Sequence, residues 1–312
     1  FRRCLSIELS FLHFLETIRT AAGITFFSFI TLFGEELVMI AVLCLLYWCV
    51  DKRLGYRIGF SYFLSGLCVQ TLKITFKIPR PWVLDATLKP VSTALETATG
   101  YSFPSGHTQS ATALFGTLGL NKRQPVKTIC CFILIGFVAF SRMYLGVHTP
   151  KDVLVSFFVS GSLVIVAGYI FRIREQEKNK KETKTGIFWV MFIISAAVIL
   201  YAVILLYRKD ILQEYASDCC KAAGAGLGFC LGWWIEERYI QFEEKGLNIL
   251  GQIIKYSIGI GIAVLLKVGL KAVMGTTLIA DVIRYFLLVL WVTVGFPYCI
   301  KKAGYKRKIG RG

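Results

Sequence analysis

The sequence has few histidines, and its cysteines lack the spacing typical of a metal site or a disulfide framework. Only three of its 312 residues are histidine, and its ten cysteines lie mostly inside apolar runs without any C-x-x-C spacing. Two pairs, Cys130-Cys131 and Cys219-Cys220, are directly adjacent in the chain. These spacings indicate neither a zinc site nor a disulfide framework. We therefore interpret the cysteines as small, polarizable packing residues.

Acidic residues are also scarce, with 19 Asp and Glu against 36 Lys and Arg and a formal net charge of +17. A balance of this sign raises the question of nucleic-acid binding. The basic residues, however, are gathered in short segments between apolar runs, and the sequence has no aromatic-basic binding module. We therefore expect no nucleic-acid partner.

Long, nearly charge-free apolar runs make up much of the chain. Hydrophobic residues account for 55% of the sequence and the mean hydropathy is +0.62, whereas soluble domains are ~45–50% apolar. The runs predict an all-α, polytopic membrane helix bundle with about nine transmembrane helices of ~20 residues each. Gly224, Gly228 and Gly232 repeat at a spacing of four, which allows close helix packing. A dinucleotide-binding interpretation of these glycines fails, because no strand precedes them and their order does not fit G-x-G-x-x-G.

The pattern also divides the chain into segments. Residues 1–20 predict an amphipathic helix in the membrane interface, and residues 21–171 a core that carries the polar motifs. Residues 172–185 predict a charged cytoplasmic loop, residues 186–300 additional transmembrane helices, and residues 301–312 a basic cytoplasmic tail, because basic segments favour the cytoplasmic side. The polar motifs of the core are then expected to face the extracytoplasmic side together.

Polar side chains that suit a phosphate group fall in three clusters near predicted helix ends. They are Lys73 with Arg80, Ser105-Gly106-His107, and Arg142 with His148 and Asp152. Arginine forks and lysine ammonium groups bind phosphoryl oxygens, and free N–H groups at a helix start add donors. One histidine can attack phosphorus while another protonates the leaving oxygen. No cluster of acidic metal ligands accompanies them, so we predict no metal site.

The third cluster has a spacing that favours contact between its two titratable groups. Thr149 can cap a helix and Pro150 suits the first helical position, so a helix is expected to start here. Asp152, four residues after His148, could then reach back to one imidazole nitrogen. That contact would fix the tautomer and leave the other nitrogen free as a nucleophile or base. His13, in the opening amphipathic segment, is expected to be a bystander at the interface.

A further set of charged residues lies near the ends of predicted spans in the C-terminal half. They are Lys267, Lys271, Asp281 and Arg284. Snorkelling of the lysines and pairing of Asp281 with Arg284, three residues later, explain them without a function. A contact with a lipid headgroup is the alternative.

Three stretches together resemble a known family. Lys73-x6-Arg80-Pro81, Pro104-Ser-Gly-His107 and Ser141-Arg142-x5-His148-x3-Asp152 are similar to the three signature motifs of the type 2 phosphatidic acid phosphatase superfamily. That superfamily includes lipid phosphate phosphatases, undecaprenyl pyrophosphate phosphatases, glucose-6-phosphatase and vanadium haloperoxidases. The motifs occupy residues 73–152, under a third of the chain, and all three are complete and in order.

The resemblance implies a role for each motif residue. His148 would be the nucleophile that forms a phosphohistidine, Asp152 would orient it, and His107 would protonate the leaving group and later help to activate water. The phosphoryl oxygens would be held by Lys73, Arg80, Arg142, Ser105 and the backbone N–H of Gly106. The family needs no metal, so the resemblance implies no cofactor.

The resemblance therefore predicts an integral-membrane, metal-independent phosphatase that hydrolyses a lipid phosphate or pyrophosphate at the extracytoplasmic face. Undecaprenyl pyrophosphate, phosphatidic acid, phosphatidylglycerol phosphate and a sphingoid phosphate would all fit. The expected location is a bacterial cell membrane, with the endoplasmic reticulum membrane as the alternative. The expected partners are the lipid substrate and membrane lipids, and the additional helices could support a homodimer.

Two other functions stay open at this point. One is a glucose-6-phosphatase-like hydrolase of a soluble phosphate ester. The other is a catalytically silent binder or transporter of lipid phosphates, although pure binding would need only the cations and not His107, His148 and Asp152.

Overall fold

The computed structural model describes residues 2–176 and 180–309, and within these residues the chain is helical, with no strand. The α-helices are, in chain order, α1 (Arg2–Thr17), α2 (Ala21–Thr31), α3 (Glu36–Leu45), α4 (Lys52–Phe76), α5 (Pro81–Leu84), α6 (Ser92–Leu95), α7 (Gly106–Ala111), α8 (Thr117–Leu120), α9 (Pro125–Tyr144), α10 (Pro150–Gln176), α11 (Lys180–Tyr207), α12 (Gln213–Ile235), α13 (Ile249–Met274), α14 (Leu278–Leu290) and α15 (Phe296–Ile309). Short 3₁₀ or π-type turns extend several of them, including Leu32–Gly34 after α2 and Thr112–Gly116 between α7 and α8. The predicted all-α class is confirmed.

Five helical stretches within the described residues are long and apolar enough to cross a membrane. They are Pro125–Tyr144, Pro150–Ile173, Gly186–Tyr207, Ile249–Met274 and Leu278–Ala303. A sixth is added if Ala21–Gly34 and Glu36–Val50, which are bent by 53° at their junction, form one span. The predicted membrane bundle is therefore supported, whereas the count of about nine is not confirmed.

The remaining predicted spans fall in helices that are too short or too polar for this criterion. The helical stretch from Gly106 to Leu120 is short, and α4 and α12 are long but carry many polar residues. Much of α12 is buried, including Ala216, Cys219 and Phe229. A helix that is covered by protein does not need the apolar surface that lipid demands, so hydropathy alone separates such helices poorly from soluble ones.

The charged segment at 172–185 differs from the loop that its composition suggested. Helix α10 continues to Gln176 and α11 begins at Lys180, while residues 177–179 lie outside the described residues. Lys, Glu and Arg are good helix formers, so a run of charge solvates a helix without ending it. Helix α15 likewise continues to Ile309, and residues 310–312 of the basic tail lie outside the described residues. The cytoplasmic placement of both segments stays a prediction.

The chain divides into two compact units. The first comprises residues 1–40 and 68–168, and the second residues 41–67 and 169–312. In the first unit, α2 packs along α9, with the ring of Phe27 against Phe140 and Tyr144 at centroid distances of 5.3 and 4.5 Å. Gly34, just after α2, lies so close to α7 that a Cβ there would come within 2.8 Å of the carbonyl oxygen of His107. These contacts hold α2 against the helices that carry the motifs.

In the second unit, three glycines bring two helices into direct contact. A Cβ at Gly224 or Gly228 of α12 would collide with the backbone of Val282 or Phe286 on α14, and one at Gly232 would collide with Thr293 in the turn after α14. The predicted close packing at this spacing of four is confirmed. Small residues at such positions let helix backbones approach and gain van der Waals contact.

Candidate active site

The eight predicted site residues all belong to the first unit. Lys73 lies in the last turn of α4, Arg80 precedes α5, and Ser105, Gly106 and His107 lie at the start of α7. The others are Arg142 in the last turn of α9, His148 in the link to α10, and Asp152 in the first turn of α10. Each of these residues therefore lies at a helix end or in the segment next to one.

His148 is fixed by a buried carboxylate. Its Nδ1 lies 3.4 Å from Oδ2 of Asp152, and the same oxygen accepts bonds from Ser102 Oγ at 2.5 Å and Thr149 N at 2.9 Å. Helix α10 begins at Pro150, as the sequence predicted, which turns Asp152 back toward the imidazole. Because Asp152 accepts at Nδ1, the proton of a neutral imidazole lies there and the lone pair lies on Nε2.

Arg80 faces that lone pair. Its Nη1 lies 3.0 Å from His148 Nε2 and donates to the carbonyl oxygen of Val147 at 3.1 Å, while Nε donates to Gly100 O at 3.0 Å and Nη2 to Thr99 O. Arginine has no acceptor, so its contact with Nε2 independently requires the tautomer with the proton on Nδ1. Backbone carbonyls and the imidazole thus hold the whole guanidinium in place.

Lys73 is anchored in the same way by the neighbouring backbone. Its Nζ donates to the carbonyl oxygen of Tyr101 at 2.6 Å, and only 8% of the residue is exposed. The segment at residues 99–102 is itself bonded to the chain just after α4, because Ser102 N donates to Ile78 O at 2.9 Å. Gly100 adopts a left-handed φ of 67°, which glycine allows without strain.

Arg142 is the cation whose hydrogen-bonding capacity is least used. The residue is fully buried, and Nη1 donates to Thr31 Oγ1 at 2.8 Å. Its Nε and Nη2 are buried and have no hydrogen-bond partner among the described residues. Its backbone oxygen accepts from the backbone N–H groups of Val147 at 3.0 Å and His148 at 3.2 Å. These two bonds hold the backbone of His148 next to that of Arg142. Two buried, unpaired N–H groups on a cation make a ready site for an anion.

The start of α7 adds donors and an open surface. Ser105 caps the helix by accepting from Thr108 N at 3.4 Å, and its own N–H donates to Asp152 O at 3.1 Å. A Cβ built on Gly106 would meet no atom within 4 Å. His107 Nε2 is buried without a partner among the described residues. The first turn of this helix therefore presents free space beside an unpaired imidazole nitrogen.

Burial and neighbouring cations keep both histidines neutral. Burial, followed by the charge of Arg80, lowers the pKa of His148 from 6.5 to about 3, although Asp152 opposes this shift. Burial, followed by the charges of Arg142, His148, Arg80 and Lys73, lowers the pKa of His107 well below 6.5. The four groups that follow burial as causes of this shift come from the first and third motifs.

Sequence reasoning missed several partners of these residues. They are Thr31, Ser102, Ser156 and the carbonyls of residues 99–101. Thr31 is 111 positions from Arg142, and a backbone carbonyl has no residue signature. No pattern in the sequence points to either. Among the described residues, no group of three His, Cys, Asp or Glu side chains could hold a metal ion.

Comparison with known proteins agrees with this geometry. The PAP2 superfamily matches residues 54–176, which contain the whole candidate site, and the PAP2 superfamily phosphatase transmembrane extension matches residues 220–308. The chain therefore carries a PAP2 superfamily domain, which contains the candidate site, followed by the transmembrane extension of PAP2 superfamily phosphatases.

Similar proteins include two sphingosine-1-phosphate phosphatases. The probable enzyme of Dictyostelium discoideum is 26% identical over 236 residues, covering 69% of this chain and 54% of its own length. Sphingosine-1-phosphate phosphatase 2 of Mus musculus is 24% identical over 228 residues, covering 70% of this chain and 60% of its own. The chain thus spans little more than half of the length of these curated relatives.

A bacterial relative and a solved structure are also similar over shorter parts. Phosphatidylglycerophosphatase B of Bacillus subtilis is 28% identical over 111 residues, covering 33% of this chain and 54% of its own. The crystal structure of Aquifex aeolicus LpxE superimposes with a TM-score of 0.45 at 24% identity, covering 52% of this chain and 94% of that chain.

Proposed function

We propose that this chain is a membrane-embedded phosphatase that hydrolyses a lipid phosphate without a metal, through a phosphohistidine intermediate at the extracytoplasmic face. The observation that carries the proposal is the presence of two complementary groups in one site. His148 has a neutral imidazole with its lone pair on Nε2. Arg142 has two buried nitrogens, Nε and Nη2, whose N–H groups lack an acceptor among the described residues. A phosphoryl group offers an electrophile to the first and acceptors to the second.

In the first step, His148 Nε2 attacks phosphorus while the bond to the lipid oxygen breaks. The lone pair that attacks is the one that accepts from Arg80 in this structure, so the guanidinium must transfer its hydrogen bond to a phosphoryl oxygen as substrate binds. Asp152 stays on Nδ1 and stabilises the positive charge that develops on the ring. In the second step, water attacks the phosphohistidine, which releases phosphate and restores the imidazole.

His107 handles the protons of both steps in this proposal. It gives a proton to the departing lipid oxygen and takes one from the water that attacks the intermediate. The pKa of His107 is low in the unliganded site because of burial and the surrounding cations. A phosphate dianion opposes the effect of those cations and favours the imidazolium. Substrate binding is therefore expected to proceed with uptake of a proton, and phosphate binding is expected to weaken as pH rises.

Lys73, Arg80 and Arg142 would bind the phosphoryl oxygens together with Ser105 and the N–H of Gly106. Three cations in a buried site can balance the charge of the transferring group, which is the task a metal ion performs in other phosphatases. The open space beside Gly106 would admit the phosphate to the first turn of α7.

A sphingoid phosphate is our first choice of substrate. The sphingosine-1-phosphate phosphatases match about 70% of this chain, whereas the phosphatidylglycerophosphatase of Bacillus subtilis matches 33%. Phosphatidylglycerol phosphate, phosphatidic acid and undecaprenyl pyrophosphate are the alternatives. The proposal also keeps four predictions from the sequence. They are the topology of about nine spans, the outward-facing site, the location in a bacterial or endoplasmic reticulum membrane, and the homodimer.

The deciding experiment is phosphate release by the purified protein in detergent with EDTA present. The substrates are sphingosine 1-phosphate, phosphatidylglycerol phosphate, undecaprenyl pyrophosphate, phosphatidic acid and glucose 6-phosphate. His148→Ala is the inactive variant. His13→Ala is its matched control, because it makes the same substitution at a partly exposed histidine that is no part of the candidate site.

Release from a lipid that is lost in His148→Ala and kept in His13→Ala supports the proposal and identifies the substrate. Release only from glucose 6-phosphate keeps the site chemistry and overturns the lipid assignment. Loss of activity in EDTA contradicts metal independence. No release from any substrate, with binding of the lipids retained, favours a silent binder or transporter.

A further inference from the structure

The second unit contains a basic cavity that takes no part in the proposed hydrolysis. Its volume is about 200 Å³, and it lies between α12, α13 and α14. Its charged lining residues are Lys221, Lys267, Lys271, Asp281 and Arg284, and Ser217 also lines it. Four cations therefore face one carboxylate, so the cavity has an excess of positive charge.

The single carboxylate is already neutralised by its neighbours. Asp281 is 1% exposed, forms an ion pair with Arg284 three residues later, and accepts a hydrogen bond from Ser217 Oγ at 2.5 Å. The pairing of Asp281 with Arg284 that the sequence predicted is confirmed. It accounts for Asp281 completely, but it leaves the positive charges of Lys267 and Lys271 without a counterpart.

The lysines lie on the open side of the cavity. Lys267 and Lys271 are one turn apart on α13 and exposed, and neither forms an ion pair within the described part of the chain. Lys221 is partly exposed and lies 2.9 Å from Asp218. Cations that are one turn apart on a helix repel one another unless an anion lies between them. Simple snorkelling explains the exposure of these side chains, but not their position around a common cavity.

Arg284 gives the second, independent indication of a ligand. The residue is 7% exposed, and its Nη2 pairs with Asp281. Its Nε is buried and has no hydrogen-bond partner among the described residues. A buried N–H group of a cation is costly to leave unpaired, and a ligand oxygen entering from the cavity would satisfy it.

The glycine packing described above explains why these residues meet. The contact between α12 and α14 is tight at Gly224, and Lys221 and Ser217 follow within the next two turns toward the start of α12. The cavity also lies beside the turn where α13 ends at Met274 and α14 begins at Leu278. Both helices are candidate spans, so this end is where lipid headgroups are expected.

We propose that this cavity binds the phosphate group of an anionic lipid headgroup, with Arg284 as the inner donor and Lys267 and Lys271 as the outer ones. A phosphate carries charge and several acceptor oxygens, which suits one planar guanidinium and two point charges. Free inorganic phosphate shares this chemistry and is the other possible source of the group.

The test measures binding to purified protein through the rise in unfolding temperature. Phosphatidylglycerol is added in phosphatidylcholine nanodiscs for one arm, and inorganic phosphate is added in detergent for the other. The variant is Lys267→Gln with Lys271→Gln, which changes two exposed side chains and leaves the buried Asp281–Arg284 pair intact. The matched control is Lys301→Gln with Lys302→Gln, which removes the same charge from exposed positions outside the cavity.

We expect the Lys267/Lys271 variant to lose about tenfold in apparent affinity for phosphatidylglycerol while the Lys301/Lys302 control loses little. A loss confined to the inorganic phosphate arm supports the site and assigns it to the free anion. Equal losses in both variants would show nonspecific attraction to basic surface and would overturn the proposal, as would the absence of any loss.

A second variant tests the inner donor. Arg284→Lys keeps the charge that pairs with Asp281 but removes the planar guanidinium. It is expected to unfold at a similar temperature without lipid and to show a weaker rise with phosphatidylglycerol. An undiminished rise would contradict the role of Arg284.

Discussion

The two buried arginines of the candidate site differ in how well their hydrogen bonds are satisfied, and this difference predicts opposite effects of the same substitution. Arg80 donates to the carbonyls of residues 99, 100 and 147 and to His148. Arg142 donates to Thr31, while its Nε and Nη2 are buried without a partner. We expect Arg142→Met to stabilise the protein in the absence of phosphate, and Arg80→Met to destabilise it.

The magnitudes follow from the hydrogen bonds. Each unpaired buried N–H group costs about 1–3 kcal/mol, and the bond from Arg142 to Thr31 contributes about 1.5–3 kcal/mol. Methionine is long enough to fill most of the space, so Arg142→Met is expected to gain about 1–3 kcal/mol of unfolding free energy. Arg80→Met leaves three carbonyls unpaired and is expected to lose about 3–5 kcal/mol.

Thermal unfolding in detergent, followed by tryptophan fluorescence, measures both effects. At about 2 °C per kcal/mol, Arg142→Met is expected to raise the midpoint by about 2–6 °C, and Arg80→Met to lower it by about 6–10 °C. Inorganic phosphate at about 100 times its dissociation constant stabilises a binding protein by about 2.7 kcal/mol. This additional rise is expected in the parent protein and is expected to be lost in Arg142→Met.

A fall in the midpoint of Arg142→Met similar to that of Arg80→Met would refute the reasoning, because it would mean that water already satisfies both N–H groups. Because the basic cavity of the second unit is proposed to bind phosphate groups as well, this comparison is made in the Lys267→Gln/Lys271→Gln background. A phosphate-dependent rise that persists there in Arg142→Met would refute the assignment of Arg142 as an anion ligand.

Three further predictions follow from other features. Gly106→Ala is expected to fold normally but to raise KM for the lipid substrate about tenfold, because its methyl group would fill the proposed phosphate position. Gly136→Ala is the control, because its Cβ also meets no atom within 4 Å. It is expected to leave KM unchanged in the same assay. Gly228→Ala is expected to destabilise the protein by about 1–3 kcal/mol, since its Cβ would collide with a carbonyl of α14, and unchanged thermal unfolding would contradict this close contact. His13 Nε2 lies 2.9 Å from Oδ2 of Asp85. This hydrogen bond raises the pKa of His13. Hydrogen bonds from Thr87 and His13 lower the pKa of Asp85 to about 2. The stabilisation from His13 is therefore complete below pH 6.5 and lost as pH rises through its raised pKa, while that from Asp85 is lost as pH falls from 3.8 toward 2. If the thermal unfolding midpoint of His13→Gln depended on pH in the same way as that of the parent protein, the contribution of the His13–Asp85 bond to stability would be contradicted.

Features that depend on side-chain type and short spacing could be predicted from the sequence. The helix start at Pro150, the Asp281–Arg284 pair and the glycine contacts of α12 each rest on a few neighbouring residues whose geometry a helix fixes. The all-helical class rests on long apolar runs. In each case the physical cause is local, so the pattern contains the information.

The features that could not be predicted depend on the backbone or on distant neighbours. The contact of Thr31 with Arg142 requires α2 to pack along α9, which no residue pattern specifies. The count of about nine spans is not confirmed, because α12, being largely buried in protein, is more polar than a lipid-facing helix. The bond between His13 and Asp85, which ties α1 to the loop that precedes α6, joins residues 72 positions apart and has no local signal in the sequence.

The use of backbone carbonyls to hold two of the three site cations has a consequence for how the protein can change. Lys73 and Arg80 donate to the carbonyl oxygens of residues 99–101. These hydrogen bonds do not depend on which side chains stand at those positions, provided that Gly100 keeps its left-handed turn. The rim of the candidate site can therefore diversify in shape and polarity while these two cations stay in place. Under the proposed function, substrate choice could then evolve separately from the chemistry.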